Sequence, residues 1–367
     1  MKKKSTLILV ILGAIVLVLV AFVLFSKINK PKSATSENVL TAGVLLPLSG
    51  PAAGFGGDIQ KGMMLAYSEL SPEIQNKFKI IYQDNKLDAK DTVTAFRALD
   101  YTNKLDSLFV VATNEFMPIA PNVEQEKLPT LAFSYESSAF TNAKYGYRFI
   151  AKAQEGASKL EGYIAEKGYK KVAIVANQCL GCQMMEQALK DKLGDRVSSV
   201  DEVAIGMSDF KAINTKLISQ KPDAVINLLI SGFVGEYAKQ LRNQGGQMPM
   251  LSWDMAEDVS EVKASGGALE GVVYVTLVDV PSSYTEKFFA KYSEGSASNS
   301  SVGYDYVAVL AGAVEKGITT RDGLQNYLQN LSGFSGAMGT YSHTADMNGF
   351  TIQPNLRVIK GNQFLDL

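Results

Sequence analysis

The chain has 367 residues, 46% of them hydrophobic and 20% charged, the composition of an ordinary globular protein and, at roughly 100–200 residues per domain, long enough for two domains. Its 36 Lys+Arg stand against 37 Asp+Glu for a formal net charge of −1, so it lacks the basic excess that neutralises phosphates along a nucleic acid. The balance argues against a nucleic-acid partner.

The chain opens with Met1-Lys2-Lys3-Lys4, followed by an uninterrupted apolar run from Leu7 to Phe25. That run is close to the ~20 residues a helix needs to span ~30 Å of hydrocarbon. A secretory signal normally carries an apolar stretch of about 7–15 residues and a small-x-small cleavage site. Here the run ends in Leu24-Phe25-Ser26-Lys27, with neither that site nor a cysteine for lipidation. The expectation is an uncleaved signal anchor over residues 1–30, one N-terminal transmembrane helix in the cell membrane with everything after it extracytoplasmic. A cleaved signal peptide is the alternative, and it exports the rest of the chain equally. Residues 31–38, with Pro31, Ser33, Thr35 and Ser36, read as a polar linker.

From Val39 short apolar runs alternate with helical patterns. Val39 to Leu46 reads as a buried strand. Asp58 to Leu70 reads as a helix with Ile59, Met63, Met64, Ala66, Tyr67 and Leu70 largely on one face. Strands at Lys79–Tyr82 and Leu108–Ala112 flank a helix from Ala89 to Leu105. The alternation restarts after Tyr147-Arg148-Phe149-Ile150 with helix Ala157–Lys167, strand Lys171–Ala176, helix Met184–Leu193 and strand Val197–Ile205. It continues through helix Phe210–Ser219, strand Asp223–Ile230, helix Val234–Asn243 and strand Pro249–Trp253. Helices at Tyr284–Tyr292, Tyr304–Lys316 and Arg321–Leu331 precede a β-like ending from Thr340 to Phe364. Strands alternating with helices imply parallel sheets covered on both faces, here in two doubly wound α/β units. In such sheets ligands sit beyond the carboxyl ends of the strands. The loops to inspect follow Leu46, Ala112, Phe133, Ala176, Ile230 and Trp253.

Catalytic chemistry is hard to assemble from this chain. His343 is the only histidine and stands near Asp346 and Asn348-Gly349 in what reads as a turn, so neither a Ser-His-Asp triad nor a histidine-rich metal site can be built. Gly54-Phe55-Gly56-Gly57 lacks the lysine of a phosphate loop and the full dinucleotide fingerprint. Cys179-Leu180-Gly181-Cys182 is open to three readings: a local disulfide, a redox-active dithiol, or a pair of reduced thiols. One such pair does not supply the four ligands of structural zinc. No metal or cofactor is expected.

The segment Ala42-Gly43-Val44-Leu45-Leu46-Pro47-Leu48-Ser49-Gly50-Pro51-Ala52-Ala53-Gly54-Phe55-Gly56 closely resembles the opening strand and first ligand loop of leucine/isoleucine/valine-binding proteins. These are the branched-chain amino-acid-binding members of the type I periplasmic binding proteins. Ile81-Tyr82-Gln83-Asp84-Asn85 is similar to their second strand and its acidic turn. Leu128-Pro129-Thr130-Leu131-Ala132-Phe133-Ser134 is similar to a later ligand-loop strand, Gly303-Tyr304-Asp305-Tyr306-Val307-Ala308 to a helix, and Gly336-Ala337-Met338-Gly339-Thr340 to the last crossover. In this order the resemblance covers Val39 to Phe364.

The resemblance implies two Rossmann-like lobes joined by three crossover strands and closing on a ligand by a hinge. Lobe one would take residues 39–150 and 280–336, lobe two residues 151–278 and 340–367. It implies a non-enzymatic solute-binding protein of an ABC importer, capturing an amino acid or related small polar ligand as a monomer and delivering it to a permease in the membrane. A ligand-sensing ectodomain is the alternative. By the same resemblance Phe55 covers the ligand side chain, Thr113 with Asn114 holds a carboxylate, and Ser134, with Tyr135 and Glu136 next to it, contacts the ligand. Asp254 receives an ammonium, with a helix N-cap as its other reading. Glu136 and Glu115 depart from the family pattern toward a more acidic cleft, and Leu180 stands where a ligand-facing tyrosine is common. These departures favour a solute richer in hydrogen-bond donors than leucine.

Overall fold

The structure, a computed structural model, describes residues 39–136, 138–346 and 348–367. The first sheet is built on β1 (Leu40–Leu46), β2 (Phe78–Asp84), β3 (Ser107–Val111), β4 (Thr130–Phe133) and β5 (Gly146–Arg148), with β2-β1-β3-β4-β5 parallel neighbours in that order. The second repeats the pattern with β6 (Val172–Asn177), β7 (Val197–Val203), β8 (Ala224–Leu228), β9 (Met250–Trp253) and β10 (Val273–Thr276), ordered β7-β6-β8-β9-β10. Each order reverses beside its first strand, and that reversal leaves a crevice at the carboxyl ends of the strands.

Inner strands such as β1, β3 and β6 read as nearly continuous apolar runs because helices cover both faces of each sheet. In β1, Val44 and Leu46 join one core while Leu45 enters another with Phe96, Leu99 and Val110, following the two-residue period of a strand. The helix Ala53–Glu69 begins earlier than its apolar pattern predicts and takes in Gly54, Gly56 and Gly57. Gly56 is there because a Cβ would stand 2.0 Å from the Pro47 carbonyl oxygen. The same helix packs against Ala297–Glu315 at backbone distance. A Cβ on Gly62 would meet the Ser300 carbonyl oxygen at 1.8 Å, and one on Gly303 the Ile59 carbonyl oxygen at 2.0 Å.

The chain passes between the sheets after β5, after β10 and near residue 350. These passages run beside one another: the Ala151 amide donates to the Leu277 carbonyl (3.2 Å) and the Asp279 amide to the Met338 carbonyl (3.3 Å). The hairpin β11 (Phe334–Gly336) and β12 (Gly339–Tyr341) forms a small sheet of its own. β13 (His343–Thr344) and β14 (Gly349–Phe350) extend the first sheet, β14 running parallel to β5, whereas β15 (Asn355–Lys360) and β16 (Gln363–Asp366) extend the second. His343–Thr344 and Gly349–Phe350 therefore lie on the first sheet, and Asn355–Lys360 and Gln363–Asp366 on the second. His343 packs its ring against Tyr147 and Phe350 and shares a 3.1 Å hydrogen bond with Asn348 Oδ1.

One part of the expected fold class is corrected. The transmembrane helix expected over residues 1–30, and the linker over 31–38, lie outside the described residues. Among the described residues no helix is long and apolar enough to cross a membrane. The fold class is accordingly the two-lobed α/β architecture alone, and the expected localisation as a single-pass anchored protein of the cell membrane is corrected with it. The physical reason shows in the helix Ala297–Glu315, which has 19 residues, most of them buried, yet carries Ser298, Asn299, Ser300, Ser301 and Asp305. Its burial is against protein: Ser300 and Ser301 bond carbonyls of their own helix, and Asp305 accepts amides of the β11–β12 hairpin.

Candidate ligand-binding cleft

The carboxyl ends of the parallel strands in both sheets converge on one cavity of about 440 Å³, within the range of small-molecule sites. From the first lobe come Ala52 and Phe55 after β1, Leu87 after β2, Ala112 to Glu115 after β3, and Phe133 and Tyr135 at the end of β4. From the second come Gln178 to Gly181 and Gln183 after β6, Ile205 after β7, Ile230 and Ser231 after β8, and Trp253 and Met255 at the end of β9.

On the first wall Ala112 adopts φ 65, ψ 157, a strained conformation for a residue with a Cβ, of the kind that accumulates at ligand sites. That turn of the backbone sends Thr113, Asn114 and Glu115 along the cavity. Thr113 Oγ1 lies 2.6 Å from Ser134 Oγ. Ser134 is fully buried behind it and also accepts the Glu136 amide at 3.3 Å. Burial pushes the Glu115 carboxyl up to about 7, its own amide offsets this in part, and the negative charge of Asp88 adds to the rise.

On the second wall Cys179 and Cys182 are joined by a disulfide across the first turn of the helix Leu180–Leu193. Cys179 Sγ also accepts the Cys182 amide at 3.2 Å. The link holds Leu180 and Gly181 against the cavity.

Tyr135 bridges the walls. Its hydroxyl donates to Asp254 Oδ2 at 3.2 Å, its ring lies 5.6 Å from that of Trp253, and a Cβ on Gly181 would stand 2.9 Å from its Cδ2. Asp254 is 2% exposed, Oδ1 makes no hydrogen bond, and burial lifts its carboxyl to about 7, offset in part by Tyr135 and by the amides of Asp254 and Met255. The N-cap reading of Asp254 does not describe it, because the helix Val259–Ser265 is capped by Asp258, whose carboxylate accepts the Ser260 amide at 2.7 Å.

Of the residues singled out in the sequence, Phe55, Thr113, Asn114, Tyr135 and Cys179 stand on the cavity wall. Ser134 and Asp254 lie one layer behind, under Thr113 and Tyr135 respectively. Cys182 is buried beneath the wall. Glu136 does not line the cavity, and its Oε1 accepts the Ser138 amide at 2.7 Å. Leu87, Gln178, Gln183, Ile205, Ser231 and Met255 were not anticipated. The available signal was their position just past a strand end, and for Leu87 and Ile205 the loops after the second strand of each sheet.

Fold and cleft define a two-lobed α/β protein with a cavity between the lobes. A family model described as periplasmic binding protein matches residues 39–362, and the chain belongs to that family, as the resemblance indicates. It is a binding protein and not an enzyme. Solved structures that share the fold include a leucine-binding protein from Thermotoga maritima, with 21% identity, 90% of this chain and 98% of that one covered, and a TM-score of 0.78. A branched-chain amino acid transporter substrate-binding protein from Streptococcus pneumoniae, in complex with isoleucine, has 18% identity, 89% and 97% coverage and a TM-score of 0.80. A solute-binding protein of an ABC transporter from Rhodopseudomonas palustris, in complex with 3,4-dihydroxybenzoic acid, has 17% identity, 90% and 96% coverage and a TM-score of 0.82. No curated protein matches the chain significantly.

Proposed function

We propose that the protein is the extracytoplasmic solute-binding component of an ABC importer. It captures an amino acid or a related small polar molecule as a monomer and presents it to a membrane permease. The observation that carries this reading is the cavity at the carboxyl ends of both parallel sheets, with walls contributed by two lobes that adjacent backbone passages join. Such passages let lobes rotate as rigid bodies, with boundaries near residues 150 and 280. The solved relatives with ligands support the reading, since they hold small molecules as different as isoleucine and 3,4-dihydroxybenzoic acid.

The test is a thermal-shift screen of the full chain against amino acids, amides, amines and aromatic acids. A ligand that binds the native state alone stabilises it by about 2.7 kcal/mol at 100 times its dissociation constant, a visible shift. If no compound in these classes raises the midpoint, the solute-binding reading loses its support. A hit should also shrink the radius of gyration in solution scattering as the lobes close.

A further inference from the structure

The chemistry of the cleft is one-sided in charge. Glu115 lines it, and among the described residues no lysine, arginine or histidine does. Among the described residues no cation pairs with the Glu115 carboxylate, and the charged neighbour that acts on it is another acid, Asp88. The second acid of the site, Asp254, sits one layer down and also lacks a cation among the described residues.

Aromatic rings run from one wall to the other without a break. Phe55 lies 5.3 Å from Phe133, Phe133 lies 5.5 Å from Tyr135, and Tyr135 lies 5.6 Å from Trp253. All four line the cavity. Ring faces are the negative ends of aromatic quadrupoles and attract cations. Thr113 Oγ1, on the cavity wall, shares a 2.6 Å hydrogen bond with the buried Ser134 Oγ. A carboxylate entering the cavity would meet Glu115 with no basic side chain to balance it. An ammonium would meet a carboxylate that lacks a counter-ion and rings that favour positive charge.

We propose that the cleft binds an organic cation, a small amine or quaternary ammonium with an apolar or aromatic body, and that Glu115 with the Phe55–Trp253 arc of rings sets that preference. The inference rests on the cleft being the ligand site and adds the class of ligand. A solute of this class needs no carboxylate of its own, which separates it from a zwitterionic amino acid.

The experiment is isothermal titration of the full chain with 2-phenylethylamine, phenyltrimethylammonium, isoamylamine, 2-phenylethanol, phenylacetate, phenylalanine and leucine. At least one cation is expected to bind tenfold or more tightly than 2-phenylethanol, with phenylacetate weaker still. Glu115→Gln should bring the preferred cation to within about threefold of the alcohol while the unfolding midpoint stays at or above that of the parent. Phe55→Leu should weaken phenyltrimethylammonium more than the alcohol. Binding of phenylacetate, phenylalanine or leucine with all three cations silent would overturn the inference and leave the solute-binding reading standing. Cation binding that Glu115→Gln does not change overturns the role of Glu115. Silence from every probe, together with a blank thermal-shift screen, would remove both.

Discussion

Asp305 and Asp254 are both buried acids whose carboxyls burial lifts to about 7, yet they are built for opposite purposes. Asp305, on the helix Ala297–Glu315, accepts the amides of Ala337 (2.6 Å) and Met338 (2.9 Å) and the Tyr341 hydroxyl (3.1 Å). The hairpin comes so close that a Cβ on Gly336 would lie 2.2 Å from Asp305 Oδ2. Asp254, at the cleft, accepts one hydroxyl at 3.2 Å from the opposite lobe and leaves Oδ1 without a bond. A buried carboxyl whose acceptors are filled by a neighbouring hairpin ties the scaffold together. One held by a single long bond across a cleft can change partners when the lobes move.

The comparison predicts first that Asp305→Ala is severe. It strands three donors in a buried site, at roughly 1–3 kcal/mol for each unsatisfied group, so urea unfolding should show a loss of about 3–5 kcal/mol. A loss below about 1 kcal/mol would mean that Asp305 is not the tie it resembles. Asp254→Ala, by contrast, frees only the Tyr135 hydroxyl, which water can reach once the lobes part. Its cost to the unliganded protein should stay near 1 kcal/mol, while the radius of gyration of the unliganded state rises. A cost equal to that of Asp305→Ala would erase the distinction.

Stability should also depend on pH in a specified direction. Burial raises Asp58 to about 6, and Glu115, Asp254, Glu261 and Asp305 to about 7. In the window between about 4 and 7 the native state therefore holds protons that the unfolded chain has released, so stability is present at the lower end and is lost as pH rises through the folded values. Asp84, Asp223 and Asp346 are shifted the other way, by hydrogen bonds and, for Asp346, Lys152, and their contribution is lost below the usual carboxylate range. The unfolding midpoint should be higher at pH 5 than at pH 8. Asp254→Asn and Asp305→Asn should each flatten that slope by a similar share, and a midpoint that rises from pH 5 to pH 8 would contradict the assignment. The smallest effect is expected for Tyr135→Phe, which removes the one bridging bond at about 0.5–1.5 kcal/mol and should shift the unliganded protein less than any Asp305 variant. A larger shift would make Tyr135 part of the scaffold.

Much of the architecture was legible along the chain because it rests on local patterns. The buried runs of β1, β3, β6, β8 and β9 and the helices between them follow from apolar periodicity and from the depth at which parallel strands lie. The strand β5 was harder to see: with 3 residues, it is too short to carry a period. The N-cap offered as the other reading of Asp254 falls instead to Asp258, because a short 3₁₀ turn over Asp254–Ala256 delays the start of the helix Val259–Ser265.

What the sequence by itself determined is the alternation of strand and helix, the doubly wound class, and the strand ends where a ligand belongs, since these depend on neighbours a few residues apart and on a rule common to all such sheets. What only the tertiary structure decided is which residues at those ends face one another. That Tyr135 reaches Asp254 and Trp253 across more than a hundred positions, that Ser134 lies behind Thr113, and that Glu136 turns to cap Ser138 while Glu115 lines the cavity are outcomes of how two separately packed sheets meet. No pattern within either sheet encodes the chemistry of the gap between them, because the residues that face one another across it come from segments far apart in the chain.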